Sequence, residues 1–189
     1  DGALPIFSGV ACRSAAPAAA SVPIVQPGAP GQEARIIDVQ RATDLSKVRF
    51  TPADVEFMQG MIGHHAQAVE MVGLLKTRTA REDMRTLGER IDLSQADEIR
   101  MMQQWLVARG QLAPEEHAHH HEAMMMPGML TPEQMARLAA AKGPEFDRLF
   151  LEGMIAHHQA ALTMVEELLR RPGAAQESEI FGFISDVEA

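Results

Sequence analysis

The stretch Gly60-Met61-Ile62-Gly63-His64-His65-Ala66-Gln67-Ala68-Val69-Glu70-Met71 returns 93 residues later as Gly153-Met154-Ile155-Ala156-His157-His158-Gln159-Ala160-Ala161-Leu162-Thr163-Met164. Imidazole nitrogens and thioether sulfurs are donors for metal ions, and their spacing here is helical. At roughly 100° per residue, Met61, His64, Ala68 and Met71 fall on one stripe, as do Met154, His157, Ala161 and Met164. His65 lies roughly 100° from His64, so one ion is not expected to take both rings from one helix. Each pair should turn one ring to the centre of a helical bundle and the other to a neighbouring face. If the two helices pack as twins, two thioether–imidazole sets converge.

A methionine stripe at helical spacing ordinarily fills a core. Two features weigh against that here. Burying four imidazoles is unfavourable unless their nitrogens find partners. Gly60, Gly63 and Gly153 sit inside helices at about 1 kcal/mol each relative to Ala, which suits a backbone or ligand approaching closely. The donor types then select the metal. Di-iron bundles use Glu-x-x-His, whereas Met61-x-x-His64 and Met154-x-x-His157 put a neutral thioether at the Glu position. Thioethers favour Cu(I) over iron, zinc or manganese, and structural zinc would want nearby Cys. Glu116-x-x-His119 has the di-iron spacing but stands singly in a loop.

That loop, about residues 111–130, holds His117, His119, His120 and His121 followed by Met124, Met125, Met126 and Met129. A mixed Met/His tract of this kind is a further candidate for copper. So are Glu98, Met101 and Met102 on the second helix, where Gln95, Glu98 and Met102 lie close to one face.

The elements that must carry these residues are legible from their ends. Thr51-Pro52-Ala53-Asp54 is a helix start, with Thr as N-cap, Pro at the first helical position and an acid in the first turn. The helix should run to about Lys76. Thr79-Ala80-Arg81-Glu82 reads as a capping box opening a second helix to Ala108, stopped by Gly110. Thr131-Pro132-Glu133-Gln134 opens a short third helix that Gly143-Pro144 breaks. A fourth covers roughly 145–170 and ends at Pro172-Gly173, and a fifth is expected from near Ala174. At the 93-residue offset Phe57 also pairs with Phe150, Leu75 with Leu168 and Ile91 with Ile184. The expected fold is therefore all-α, an antiparallel four-helix bundle of two repeated helical hairpins. Its body spans 43–189, with repeat 1 about 51–108 and repeat 2 about 145–189. The second copy reaches only Ala189, the counterpart of Ala96, so the pattern predicts further helix beyond it.

Residues 1–42 precede the bundle. Residues 1–34 are rich in Ala, Pro, Gly and Ser and read as an extended leader or tether. Cys12, after Ser8-Gly9-Val10-Ala11, is either the lipidated residue of a bacterial lipoprotein or a lone thiol in that leader. Composition narrows the class of function. Net charge is −9 with no Lys/Arg cluster, which argues against a nucleic-acid partner. Thirteen Met, eight His and no Tyr make an unusual core, built from Leu, Ile, Val, Ala and Met. No apolar run approaches the roughly 20 residues of a membrane-spanning helix. No Ser/His/Asp or Cys/His constellation is recognisable, so a binding protein is expected rather than an enzyme. An exported copper-binding protein of the periplasm is the leading expectation. The alternative is an accessory subunit of a larger membrane-associated complex, docked through residues 1–34.

The doubled Gly-Met-Ile-x-His-His, with Pro127-Gly128-Met129 and the following Thr-Pro-Glu-Gln-Met, resembles the domain of unknown function 305 family over about residues 43–189. That resemblance implies a ferritin-like four-helix bundle, usually exported in bacteria, with CopM-type members that are similar to periplasmic copper-binding proteins. It implies Met61, His64, His65, Met71, Met154, His157, His158 and Met164 as metal ligands.

Overall fold

The computed structural model describes residues 22–26, 33–44, 48–114 and 125–188. The chain divides into two compact units, Asp1–Lys47 and Val48–Ala189. In the first, β1 (Ile24–Gln26) pairs antiparallel with β2 (Arg35–Ile37), with Val25 opposite Ile36. Asp38 then caps the one-turn helix α1 (Val39–Ala42) by accepting from the Arg41 backbone N–H at 2.7 Å.

The second unit is helical. Three helices of 27 residues, α2 (Pro52–Arg78), α3 (Glu82–Ala108) and α5 (Gly143–Leu169), are joined by the short α4 (Pro132–Ala140) and followed by α6 (Ser178–Glu188). Thr51 caps α2 as expected. Its hydroxyl accepts from Asp54 N–H while the Asp54 carboxylate accepts from Thr51 N–H. Thr131 and Gln134 build the same reciprocal box at α4.

Two boundaries differ from the expectation. Thr79 does not open α3. Helix α2 runs on to Arg78 and takes Thr79 as its C-cap, and the Thr79 hydroxyl instead accepts from Arg81 N–H at 3.0 Å. Arg81 is the N-cap of α3 and has no side-chain cap, which leaves Glu82 and Asp83 to complement the helix dipole. Likewise α6 begins at Ser178 rather than near Ala174. Ala175 takes φ +57°, outside any helix, and its N–H is held by Asp54 at 2.7 Å.

The apolar residues fall into two clusters that meet at the middle of α2. One gathers Phe57, Met58, Met61 and Ile62 with Met102, Trp105 and Leu106 of α3, Met164 and Val165 of α5, and Ile180 and Phe183 of α6. The other gathers Met71, Val72 and Leu75 with Met84, Leu138, Phe146, Phe150 and Met154. Burial at about 25 cal/mol per Å² makes these two clusters the main source of stability. His64-His65 and His157-His158 lie at the midpoints of α2 and α5, where one cluster gives way to the other.

Candidate metal centre

His64 and His157 meet face to face, with ring centroids 3.5 Å apart and planes tilted by 30°. His157 Nε2–H donates to the His64 carbonyl at 2.8 Å. A carbonyl only accepts, so this bond fixes the tautomer and leaves the lone pair on His157 Nδ1. His64 is fully buried, and neither ring nitrogen has a hydrogen-bond partner among the described residues. The Pro127 carbonyl approaches this ring without meeting hydrogen-bond geometry. Burial, then the like charge of His157, drives the His64 pKa down to about 2. Burial also lowers His157 to about 4, against the opposing pull of its bond to the His64 carbonyl. Both rings are therefore neutral at pH 7, the state in which imidazole ligates a metal.

The second ring of each pair turns to a different face. His65, also buried, sets Nε2 2.6 Å from Glu98 Oε2 on α3. The other Glu98 oxygen accepts from Ser94 at 2.6 Å. Burial pushes the Glu98 carboxyl up, but its bonds from His65 and Ser94 prevail and hold it below the usual range. With Nε2–H committed to a carboxylate, His65 Nδ1 is left buried and unpartnered, the arrangement of carboxylate-oriented metal-ligating histidines. His158 is exposed and donates Nδ1–H to the Met154 carbonyl at 2.9 Å, which leaves its Nε2 with the lone pair. A cavity of about 700 Å³ is lined by His64, His65, Glu98, Met154, His157 and His158 together.

The remaining candidates divide by place. Met61, Met102 and Met164 lie in one apolar cluster, and Met71 lies in the other beside Met154. Of the four stripe methionines, only Met154 lines the histidine cavity. Met101 is half-buried and faces the neighbouring cleft with Trp105 and Phe183. Met125 is exposed, whereas Met126 and Met129 are half-buried, with Met129 Sδ accepting from Met126 N–H at 3.3 Å. His117, His119, His120, His121, Met124 and Cys12 lie outside the described residues.

Two residues that position the site were not singled out by sequence. Gln67 clamps the strand of chain that follows the Met/His tract: its amide donates to the Leu130 carbonyl at 2.9 Å and accepts from Leu130 N–H at 2.6 Å. Gly128, at φ +76°, lies so close to α5 that a side chain there would strike Ala160 Cβ and come within 2.8 Å of the Ala156 carbonyl. Gln67 and Ala160 occupy matching positions in the two motifs. Where the motifs differ, one residue grips the crossing segment and the other leaves room for it.

Among the described residues, no three His, Cys, Asp or Glu side chains are placed to hold one ion. The remaining candidate donors are the unpartnered nitrogens of His64 and His65, Nδ1 of His157, and the Met154 thioether that lines the same cavity. No described helix is long and apolar enough to cross a membrane.

The family model of domain of unknown function 305 (DUF305) matches residues 54–189. Among solved structures, the chain is similar to a DUF305 protein of Streptomyces coelicolor predicted to be secreted, at 30% identity over 72% of this chain and 84% of that one, with a TM-score of 0.58. A DUF305 fragment from Deinococcus radiodurans matches at 30% identity over 73% and 87%, with a TM-score of 0.62. CopM in its Cu(II)-bound form matches at 25% identity over 71% and 84%, with a TM-score of 0.57. No functionally curated protein matches the chain. The helical bundle, its twin His-His motifs and the match over most of the chain place this protein in the DUF305 family.

Proposed function

We propose that this chain binds copper, preferring Cu(I), outside the cytoplasm, and that it buffers or delivers the ion. One observation carries the reading: at the middle of the bundle His64, stacked on His157, keeps both ring nitrogens buried, and His65 beside it keeps Nδ1 buried, with no hydrogen-bond partner among the described residues. Leaving such nitrogens unpartnered is unfavourable by about 1–3 kcal/mol each, and a soft ion would satisfy them. The donor set of imidazoles beside thioethers suits Cu(I). Support also comes from CopM, a protein solved in Cu(II)-bound, Cu(I)-bound and silver-bound forms. An extracytoplasmic place is supported by the Ala/Pro-rich leader and by the S. coelicolor relative. The test is Cu(I) titration against a competing chelator. Wild type should take up the ion, and changing both His64 and His157 to Ala should weaken binding by about 100-fold or more, beyond what loss of an orienting partner does. An unchanged affinity in the double variant would remove these helices from consideration.

A second reading, an accessory subunit docked through the N-terminal segment, is favoured by one feature of the Asp1–Lys47 unit. Val22, Val25, Ile36 and Val39 are all exposed there, on and beside a two-stranded sheet of a kind that is marginal in water by itself. Purification from native membranes decides it: a partner co-eluting at fixed stoichiometry supports docking, and a free monomer opposes it.

A further inference from the structure

We propose that Met126 supplies a thioether to the copper ion that His64 binds, and that Gly60 is the residue whose missing side chain admits it. The inference rests on the copper reading above, but it follows from a separate juxtaposition. The segment 126–128 crosses from α2 to α5 directly over the stacked histidines. Met126 lies on Gly60, so that a Cβ added there would meet Met126 Cε at 2.7 Å and Sδ at 3.1 Å. Gly60 and His64 are one turn apart on the same face of α2. The next residue, Pro127, brings its carbonyl to the His64 ring, and Gly128 then seats against His157 Cα and Ala156. The sulfur of Met126 is thus delivered to the turn of α2 that precedes His64, by a segment that then seats against α5.

This placement is built rather than incidental. Gly inside a helix is unfavourable by about 1 kcal/mol relative to Ala, and at position 60 the vacated space is filled by a thioether from another element. The segment is braced by its own turn, where Met129 Sδ accepts from Met126 N–H, and is clamped at Leu130 by the buried Gln67 amide. Of the Met/His tract, Met126 is the described methionine that packs against the cluster containing Met61, whereas Met125 points to solvent. A neutral thioether beside a neutral imidazole selects a soft ion such as Cu(I) over zinc.

The experiment compares wild type with Met126→Leu, Met125→Leu, Gly60→Ala and His64→Ala in three measurements: Cu(I) affinity by chelator competition, the number of sulfur scatterers per copper by X-ray absorption, and the melting temperature of the metal-free protein. Leu keeps the volume of Met, so Met126→Leu should fold with little change. It is expected to bind Cu(I) about 10-fold or more weakly and to lose one sulfur from the copper shell, in line with removal of a ligand contact. Met125→Leu, at an exposed member of the same tract, should weaken Cu(I) less than Met126→Leu does. Gly60→Ala should melt no lower than wild type, because Ala favours the helix and a flexible thioether end yields easily. Yet it should weaken Cu(I) in the same direction, and add nothing further when combined with Met126→Leu. An unchanged affinity and sulfur count in Met126→Leu, with His64→Ala binding weakly, overturns this inference and leaves the copper reading standing. Failure of wild type itself to bind Cu(I) overturns the copper reading.

Discussion

Replacing His64 with Leu is expected to make the metal-free protein more stable while weakening Cu(I) binding by about 100-fold or more. The two effects have one origin. His64 is fully buried with both ring nitrogens unpartnered, which is unfavourable by about 1–3 kcal/mol per group. Leu fills similar space with no polar atom. The loss is ring stacking on His157, worth about 0.5–1.5 kcal/mol. The bond from His157 Nε2–H survives, because it ends on the backbone carbonyl of residue 64. The net gain at pH 8 should be about 1–2 kcal/mol, or roughly 3–6 °C in melting temperature. Acid should widen the gap. The folded-state pKa of His64 lies near 2, below the unfolded value of 6.5, so the unfolded chain binds the extra proton. Stability is fully present above about pH 6.5 and is lost as pH falls toward the folded value. Linkage puts that loss at about 2 kcal/mol per such histidine by pH 5. His64→Leu removes one share, so its advantage over wild type should roughly double between pH 8 and pH 5. Urea titrations at both pH values measure it. A variant that is destabilised by several kcal/mol and still binds Cu(I) would mean that His64 is a packing residue.

Why such a histidine is visible in sequence, while its surroundings are not, follows from the range of the interactions. Helical periodicity and N-caps act over three or four residues, so Thr51, Thr131 and the His-bearing stripes could be read directly. The same rule misled at Thr79. A Thr followed three residues later by Glu82 has the right letters for a capping box, but α2 reached Thr79 first and used it as its end. Adjacent histidines roughly 100° apart were expected to face different ways, and His64 and His157 do stack while His65 turns to Glu98 and His158 to solvent. What periodicity does not encode is which thioethers share the cavity. Met61 and Met154 hold matching positions in the two motifs, yet only Met154 lines the space around the histidines. The difference comes from what packs over each motif. The crossing segment 126–130 is gripped on the α2 side by Gln67 and rests on the α5 side at Ala160, so the two motifs meet it differently. That mismatch was present in the sequence. Its meaning depended on a bond between residues 63 positions apart.

Asp54 illustrates the same limit on the scale of the whole bundle, and changing it to Ala should cost about 3–5 kcal/mol, the largest single-residue loss of stability expected here. In sequence it is one acid in the first turn of a helix, a contribution of about 1 kcal/mol or less. In the structure it is fully buried. One carboxylate oxygen accepts from Thr51 N–H at 2.7 Å and from the Thr51 hydroxyl at 2.9 Å, and the other accepts from Ala175 N–H at 2.7 Å. Hydrogen bonds to a charged group contribute about 1.5–3 kcal/mol each, and three sharing one carboxylate are not additive. Removing them also strands two backbone donors, at half-buried Thr51 and buried Ala175. One of these, at Ala175, belongs to a residue held at φ +57°, a conformation that needs outside support in a residue with a Cβ. Ala174 and Ala175 lead into α6, whose Ile180, Phe183 and Ile184 pack in the same cluster as Phe57 of α2. The carboxylate therefore ties the start of the bundle to its final helix, and its loss should loosen α6 before the rest. Hydrogen exchange is the measurement that separates this from a simple capping defect. In Asp54→Ala, amides of α6 should exchange faster than those of α4, which has a capping box of its own. Uniform acceleration, or a loss of about 1 kcal/mol in urea titration, would reduce Asp54 to an ordinary cap. Asp54→Asn should fall close to Ala rather than midway, because its single acceptor oxygen cannot serve both Thr51 and Ala175, and its NH2 would face donors.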